Sequence, residues 1–186
     1  MPDNSDHLQM LAVREGDLDK LGPLFEKYHQ QLFGYFQRQL RDPQLCEDVV
    51  QEVFFRMLKY RHTYRGEGSF RAWMYSIAYN AKIDHFRQTQ RRPETITDEV
   101  DLLVNPRPNP EEIFIKSNQR ELLDLALDQL TGLKREVILL RRFQSLKYLE
   151  ISEVLDCPVG TVKACLFHAI KDMKAFIAKQ GVKITS

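Results

Sequence analysis

Residues 70 to 87 read FRAWMYSIAYNAKIDHFR, and the spacing of their apolar side chains decides how the rest of the chain is read. Phe70, Trp73, Met74, Ile77, Ala78 and Ala81 recur at i, i+3, i+4, i+7, i+8 and i+11, which places them on one face of an α-helix. That stripe is expected in a core. Arg71, Tyr75, Tyr79, Lys82 and Phe86 form a second stripe by the same spacing, with Asn80, Asp84 and Arg87 alongside. A helix buried on every side does not carry Arg and Lys in one row. Flat rings beside cations suit single-stranded nucleic acid, where stacking contributes about 1–3 kcal/mol per base. Half-buried tyrosines packed on a neighbouring helix give the same pattern, and the segment by itself leaves both open.

Helical stretches precede this one. GPLFEKYHQQLFGYFQRQL repeats Leu24, Tyr28, Leu32, Tyr35 and Phe36 at helical spacing, and RDP interrupts it at Asp42 and Pro43. QLCEDVVQEVFFRMLKY follows, with an apolar stripe through Leu45, Val49, Val53 and Met57 widened by Val50, Phe54 and Leu58. Its opposite face carries Glu47, Asp48, Gln51, Glu52 and Phe55. Such a face is ordinarily just solvated, but a large aromatic ring among acids also suits a protein interface. Between this helix and Phe70 lies TYRGEGS, residues 63 to 69, whose two glycines make a loop beside the basic stripe.

The C-terminal half holds NQRELLDLALDQLTGLKREVILLRRF, broken at Thr131 and Gly132, and then YLEISEVLDCPVGTVKACLFHAIKDMKAFI. In the latter a short helix ends near Leu155, Asp156 and Cys157 make a turn, and Pro158 suits the first positions of a new helix. Ile151, Val154, Leu155, Val162, Leu166 and Ile170 fall at core spacing. Two short helices joined by a tight turn describe a helix-turn-helix, which places the start of its second helix in the DNA major groove. Thr161, Lys163, Ala164, Phe167, His168 and Lys171 are then outward, and Arg141 and Arg142 are placed to hold flanking phosphates. An αα-hairpin without a ligand is the plainer alternative.

Composition supports this organisation. Of 186 residues 43% are apolar and 28% charged, with a formal net charge of +1, as in a folded globular chain rather than a disordered tail. The near-neutral sum hides a cancellation. Residues 61–92 carry seven bases and two acids, and residues 134–174 carry eight bases and five acids. Between them PETITDEVDLLVNPRPNPEE, residues 93–112, holds six acids against Arg107, and four prolines that stop a helix. Two basic blocks on an acidic connector suit two modules that touch phosphate, although solvated surfaces alone can look the same. The expectation is an all-α chain of two small helical domains, residues 1–92 and 118–186, joined by a flexible acidic linker over 93–117.

No apolar run reaches the roughly 18 residues of a membrane span, and MPDNSDHLQM lacks a signal-peptide pattern, which points to the cytoplasm and to no membrane insertion. Cys46, Cys157 and Cys165 are few, odd in number and widely spaced, so reduced packing thiols are expected. Cys157, Cys165 and His168 lack the paired spacing of a metal set. There is no P-loop, GxSxG, HExxH or dinucleotide-binding glycine turn. Hence no catalytic residue, metal or cofactor is expected.

Taken in order, these parts resemble the extracytoplasmic-function (ECF, group four) sigma factors, the compact promoter-specificity subunits of bacterial RNA polymerase. EDVVQEVFFR resembles the region two helix that docks on the polymerase clamp. FRAWMYSIAYNAKIDHFR resembles the promoter-melting helix, and YLEISEVLDCPVGTVK the region four helix-turn-helix. The resemblance implies that Asp48, Gln51, Glu52 and Phe55 contact core polymerase. It implies that Tyr64, Arg65, Gly66, Glu67, Gly68 and Ser69, with Asn80 and Lys82, capture melted minus-ten DNA, a base flipped into the loop. Arg141, Thr161, Lys163, Ala164, Phe167, His168 and Lys171 are implied to meet duplex minus-thirty-five DNA. An inhibitory anti-sigma factor is implied as a further partner. The linker's 20 residues from 93 to 112 reach at most about 65–70 Å, enough for modules one or two DNA turns apart, at roughly 34 Å per turn.

The recognition segment departs from the family pattern. Relatives usually read VKSRL followed by further arginines, whereas VKACLFHAIK places Ala164, Cys165 and Ile170 where serine and arginines are common. Weaker or altered reading of the minus-thirty-five element is expected, since each lost phosphate contact lowers the salt slope by about one. A freestanding helix-turn-helix regulator is the alternative function; it accounts for the second half of the chain but not for the acidic-aromatic helix or the loop.

Overall fold

A computed structural model describes residues 4–40, 42–90 and 119–180, so the acidic linker at 93–117 lies outside the described residues. All regular structure among them is helical. The first group comprises α1 (Asn4–Glu15), α2 (Leu21–Leu40), α3 (Pro43–Lys59) and α4 (Phe70–Gln90), with 3-10 turns at Leu18–Lys20 and Arg61–Thr63. The second comprises α5 (Gln119–Asp128), α6 (Gly132–Ile138), a π-helical stretch Leu139–Phe143, α7 (Tyr148–Leu155) and α8 (Val159–Lys179).

The interruption at Asp42 and Pro43 is an N-cap. The Asp42 carboxylate accepts from the backbone N–H groups of Gln44 at 2.9 Å and Leu45 at 3.2 Å, and Pro43 occupies the first helical position, where no N–H is needed. α2, α3 and α4 then pack in series. Leu24, Tyr28, Leu32, Tyr35 and Phe36 from α2 meet Val49, Val53 and Met57 from α3 and Phe70, Met74, Ala78 and Ala81 from α4, all buried, with Trp73 and Ile77 at the edge. The first stripe of FRAWMYSIAYNAKIDHFR is therefore core. Helix α1 closes this bundle through Met10 and Val13 and through a buried carboxylate: Asp6 accepts from Lys27 at 2.7 Å and from the hydroxyl of Tyr28.

In the second group Asp156 adopts the left-handed conformation (φ 47°), tolerable for a short polar side chain. The turn is clamped on both sides, since Cys157 N–H donates to Ser152 O at 3.1 Å and the Ser152 hydroxyl donates to Cys157 O at 2.6 Å. Ile151, Val154, Leu155 and Val162 are buried as expected, but Ile170 is 42% exposed. Ala169 and Met173 fill the core instead. At 100° per residue they lie within about 20° of Val162, whereas Ile170 lies about 80° away.

The two groups touch. α4 lies against α7, and one hydrophobic cluster runs from the α1–α4 bundle into Val137, Leu139, Leu140, Leu146, Ile151 and Val154. A smaller cluster of Ala126, Leu127, Leu130, Ile138, Ala169 and Met173 belongs to the second group alone.

Burial and the nearby Asp6 carboxylate push the Tyr64 phenol up to about 12, and burial likewise raises Tyr35 and Tyr75. In an unfolded chain these phenols ionise near 10. The folded-state values are raised, so the linked stability is complete below about pH 10 and is lost as pH rises through the folded-state values. In an alkaline titration, tyrosinate absorbance is expected to rise together with loss of helical circular dichroism, above pH 10. Ionisation of every tyrosine near pH 10 with the helices intact would contradict it.

Candidate nucleic-acid and polymerase interfaces

Three surfaces carry the residues singled out by sequence. On α3, Asp48, Gln51 and Phe55 are exposed, one helical turn apart, opposite the buried Val49, Val53 and Met57. Phe55 is 59% exposed, a large apolar area for a monomer to leave in water. Glu52 is held back: its carboxylate pairs with Arg56 at 2.6 Å, and Arg56 in turn pairs with Asp84 of α4 at 2.7 Å. That bridge fixes α3 on α4 and leaves Asp48 and Gln51 as the more open polar groups beside Phe55.

The loop at 64–69 is only partly a surface. Arg65, Glu67 and Gly68 are exposed and Ser69 half-buried, but the ring of Tyr64 is 2% exposed and belongs to the core. Its hydroxyl meets His7 Nδ1 at 2.8 Å, its carbonyl accepts from Arg14 at 3.1 Å, and Trp73 tilts against the ring at 5.0 Å. Tyr64 therefore anchors the loop to α1 rather than offering a ring for stacking. Gly66 is built into the same contact. Its φ is +76°, and a side-chain carbon there would come within 3.0 Å of Leu11 and 3.1 Å of His7. Asn80 is exposed on α4.

The second stripe of α4 is occupied by protein. Tyr75 is fully buried and donates to the side chain of Gln144 at 2.5 Å, and Arg71 donates to the Gln144 carbonyl. Lys82, expected at melted DNA, is instead 3% exposed, paired with Glu136 of α6 and donating to Gln39 at 2.7 Å. Tyr79 and Phe86 are half-buried on the same face. In this arrangement the stripe serves helix packing; its aromatic and cationic character satisfies the buried carboxylate and amide of the second group. Nothing local announced that, because Glu136 and Gln144 lie more than fifty residues further along the chain.

The third surface is α8. Lys163, Ala164, Phe167, His168 and Lys171 are exposed on its outer side and Thr161 is half-buried, while Cys165 turns inward against the core. Phe167 is 67% exposed and meets His168 edge to face at 5.5 Å. Tyr148 gathers cations at the base of this face: the Arg141 guanidinium lies 5.0 Å and the Lys163 ammonium 6.0 Å from its ring centre. Arg141 also donates to Leu146 O at 2.9 Å, which holds its guanidinium at the rim. Sequence reasoning missed Tyr148, although an aromatic residue at the first position of α7 stood in plain view.

A four-helix module with an acidic-aromatic face, coupled to a helix-turn-helix with a basic outer face, describes a DNA-binding transcription factor. Comparison with known proteins is more specific. Residues 24–92 match the family model of Sigma-70 region 2, and residues 120–173 that of Sigma-70, region 4. The chain is 31% identical over 165 residues to RNA polymerase sigma-H factor of Pseudomonas aeruginosa, covering 84% of this chain and 86% of the relative. It is 27% identical over 175 residues to ECF RNA polymerase sigma-E factor of Escherichia coli, covering 89% and 90%. Among solved structures, CnrH in complex with the cytosolic domain of CnrY has the same fold, with a TM-score of 0.68 at 19% identity over 94% of this chain and 98% of that one. So has the sigma factor RpoE in complex with the anti-sigma factor NepR from Bartonella quintana, with a TM-score of 0.65 at 17% identity, covering 84% and 96%. The chain belongs to the sigma-70 family, in its extracytoplasmic-function group. It is a sigma factor, directing promoter-specific transcription by RNA polymerase.

Proposed function

We propose that the two modules divide the work of initiation as their surfaces suggest. Asp48, Gln51 and Phe55, with Glu52 behind them, dock region two on core polymerase. Arg65, Gly66, Glu67, Gly68, Ser69 and Asn80 receive an unstacked base of the minus-ten element, and Arg141, Thr161, Lys163, Ala164, Phe167, His168 and Lys171 meet the minus-thirty-five duplex. Residues 1–92 and 118–186 act as the two domains and 93–117 as the linker. The protein works in the cytoplasm and is no enzyme; the chemistry of RNA synthesis belongs to the polymerase it directs. None of the helices among the described residues is long and apolar enough to cross a membrane.

The observation that carries this reading is that one chain presents both an exposed aromatic ring in an acidic helix face and a basic helix-turn-helix. The anti-sigma partner named for RpoE makes such an inhibitor the natural regulator here too.

Transcription from a randomised promoter library by bacterial core polymerase, with and without the protein, tests the proposal. Defined start sites are expected only when it is present. Their absence, with duplex binding in the absence of polymerase, would identify a freestanding regulator.

A further inference from the structure

The loop at 64–69 is held from outside, by the first helix of the chain. His7, Leu11 and Arg14 recur at i, i+4 and i+7 and so share one face of α1. All three face the root of the loop. His7 Nδ1 meets the Tyr64 hydroxyl at 2.8 Å, and Nη1 of Arg14 donates to the Tyr64 carbonyl at 3.1 Å. Leu11 and His7 close on the next turn of chain, where a side-chain carbon at Gly66 would come within 3.0 and 3.1 Å of them. The Glu15 carboxylate holds Nε and Nη2 of Arg14 at 2.9 and 2.7 Å, which leaves Nη1 for the loop. α1 is itself seated firmly, with Met10 and Val13 fully buried and Asp6 engaged by Lys27 and Tyr28 of α2.

We propose that His7 and Arg14 are positioning residues for minus-ten recognition: by fixing Tyr64 they set the path of Arg65 to Ser69, and so tune base preference and promoter melting without touching DNA. This rests on reading the 64–69 loop as the site of the unstacked base. His7, Leu11 and Arg14 are half-buried, whereas Arg65, Glu67 and Gly68 are exposed, so the residues that hold the loop and the residues that present it are separate.

The loop needs such support. Gly66 and Gly68 both have positive φ, 76° and 79°, and glycine loses more freedom on ordering than any other residue. A loop that orders only when the base arrives subtracts that entropy from its affinity. Choice between bases also requires donors and acceptors in fixed places, which depends on the groups behind them. Released from α1, the loop keeps every residue that meets the base and loses the geometry that lets it discriminate.

The experiment uses the full-length chain with core polymerase on a promoter library randomised across the minus-ten element, with start sites read by sequencing and unpaired thymines read by permanganate reactivity. Tyr64→Phe removes only the hydroxyl, and Arg14→Met keeps the stem but loses the donor. Each should lower the ratio of preferred to next-best base at the captured position by about two- to tenfold, the fold-change for one lost hydrogen bond, and reduce permanganate reactivity in step. Adding Tyr64→Phe to His7→Ala should change the profile no further, because both break the same contact. His7→Asn, which keeps a polar group near the place of Nδ1, should recover most of the preference. A merely structural role for α1 gives another result: the melting temperature falls and all promoters lose output in proportion, with base preference intact. That result would overturn the proposal, as would losses that multiply in the double variant. Asn80→Ala separates the two levels. If it shifts the base profile while Tyr64→Phe and Arg14→Met do not, the positioning role fails and the loop reading stands; if none of the three does, both fail.

Discussion

Phe55→Ala is expected to weaken association with core RNA polymerase by about 30- to 700-fold, the range for losing an aromatic anchor of 2–4 kcal/mol. Phe55 stands 59% exposed in the free chain, so removing it opens no cavity and should move the stability of the fold by no more than about 0.5 kcal/mol. The two effects separate a docking ring from a structural one. Titration of labelled protein with core polymerase, beside a thermal melt, measures both. An unchanged affinity would displace the polymerase contact from α3, and a large fall in melting temperature would mean that Phe55 supports the bundle. Glu52→Ala is the informative neighbour, because its carboxylate is engaged by Arg56 and the same loss should not follow there.

Met74→Ala should have the opposite profile. Met74 is fully buried at the centre of the first stripe of α4, and truncation there removes apolar contacts and leaves a cavity, at a cost of about 2–5 kcal/mol. For a chain of this size that corresponds to a fall of about 4–20 °C in melting temperature, at roughly 2–4 °C per kcal/mol. Arg87→Ala, on the exposed side of the same helix, should stay within about 0.5 kcal/mol. A melt of the three proteins decides it. If Met74→Ala melted like wild type, the apolar stripe would not be the core face and the orientation of α4 would be wrong.

Much of this protein was legible as sequence because helical periodicity is a local property. The stripes of α2, α3 and α4, the Asp42–Pro43 start, the Thr131–Gly132 break and the turn at Asp156 all depend on residues within one or two turns of each other, and each is found in the structure. The exposed Phe55 and the outer face of α8 follow from the same phase counting. Tyr64 was misplaced because a tyrosine in a glycine-flanked loop has no periodic partner; His7, Arg14 and Trp73 decide its burial, and two of the three come from α1. Ile170 was misplaced by a run of alternatives spaced three or four apart, among which only packing against α5 and α6 chooses.

By itself the sequence determined the all-helical class, two helical groups and the family to which they belong, since these rest on short-range spacing and on motifs in order. Only the tertiary structure decided what the second stripe of α4 faces. Its tyrosines and cations satisfy equally a nucleic acid or a buried carboxylate and amide, and the choice went to Glu136 and Gln144, which no local rule connects to Lys82 and Tyr75. A charge in a low-dielectric interior requires a partner, and where that partner comes from is a property of how distant segments meet.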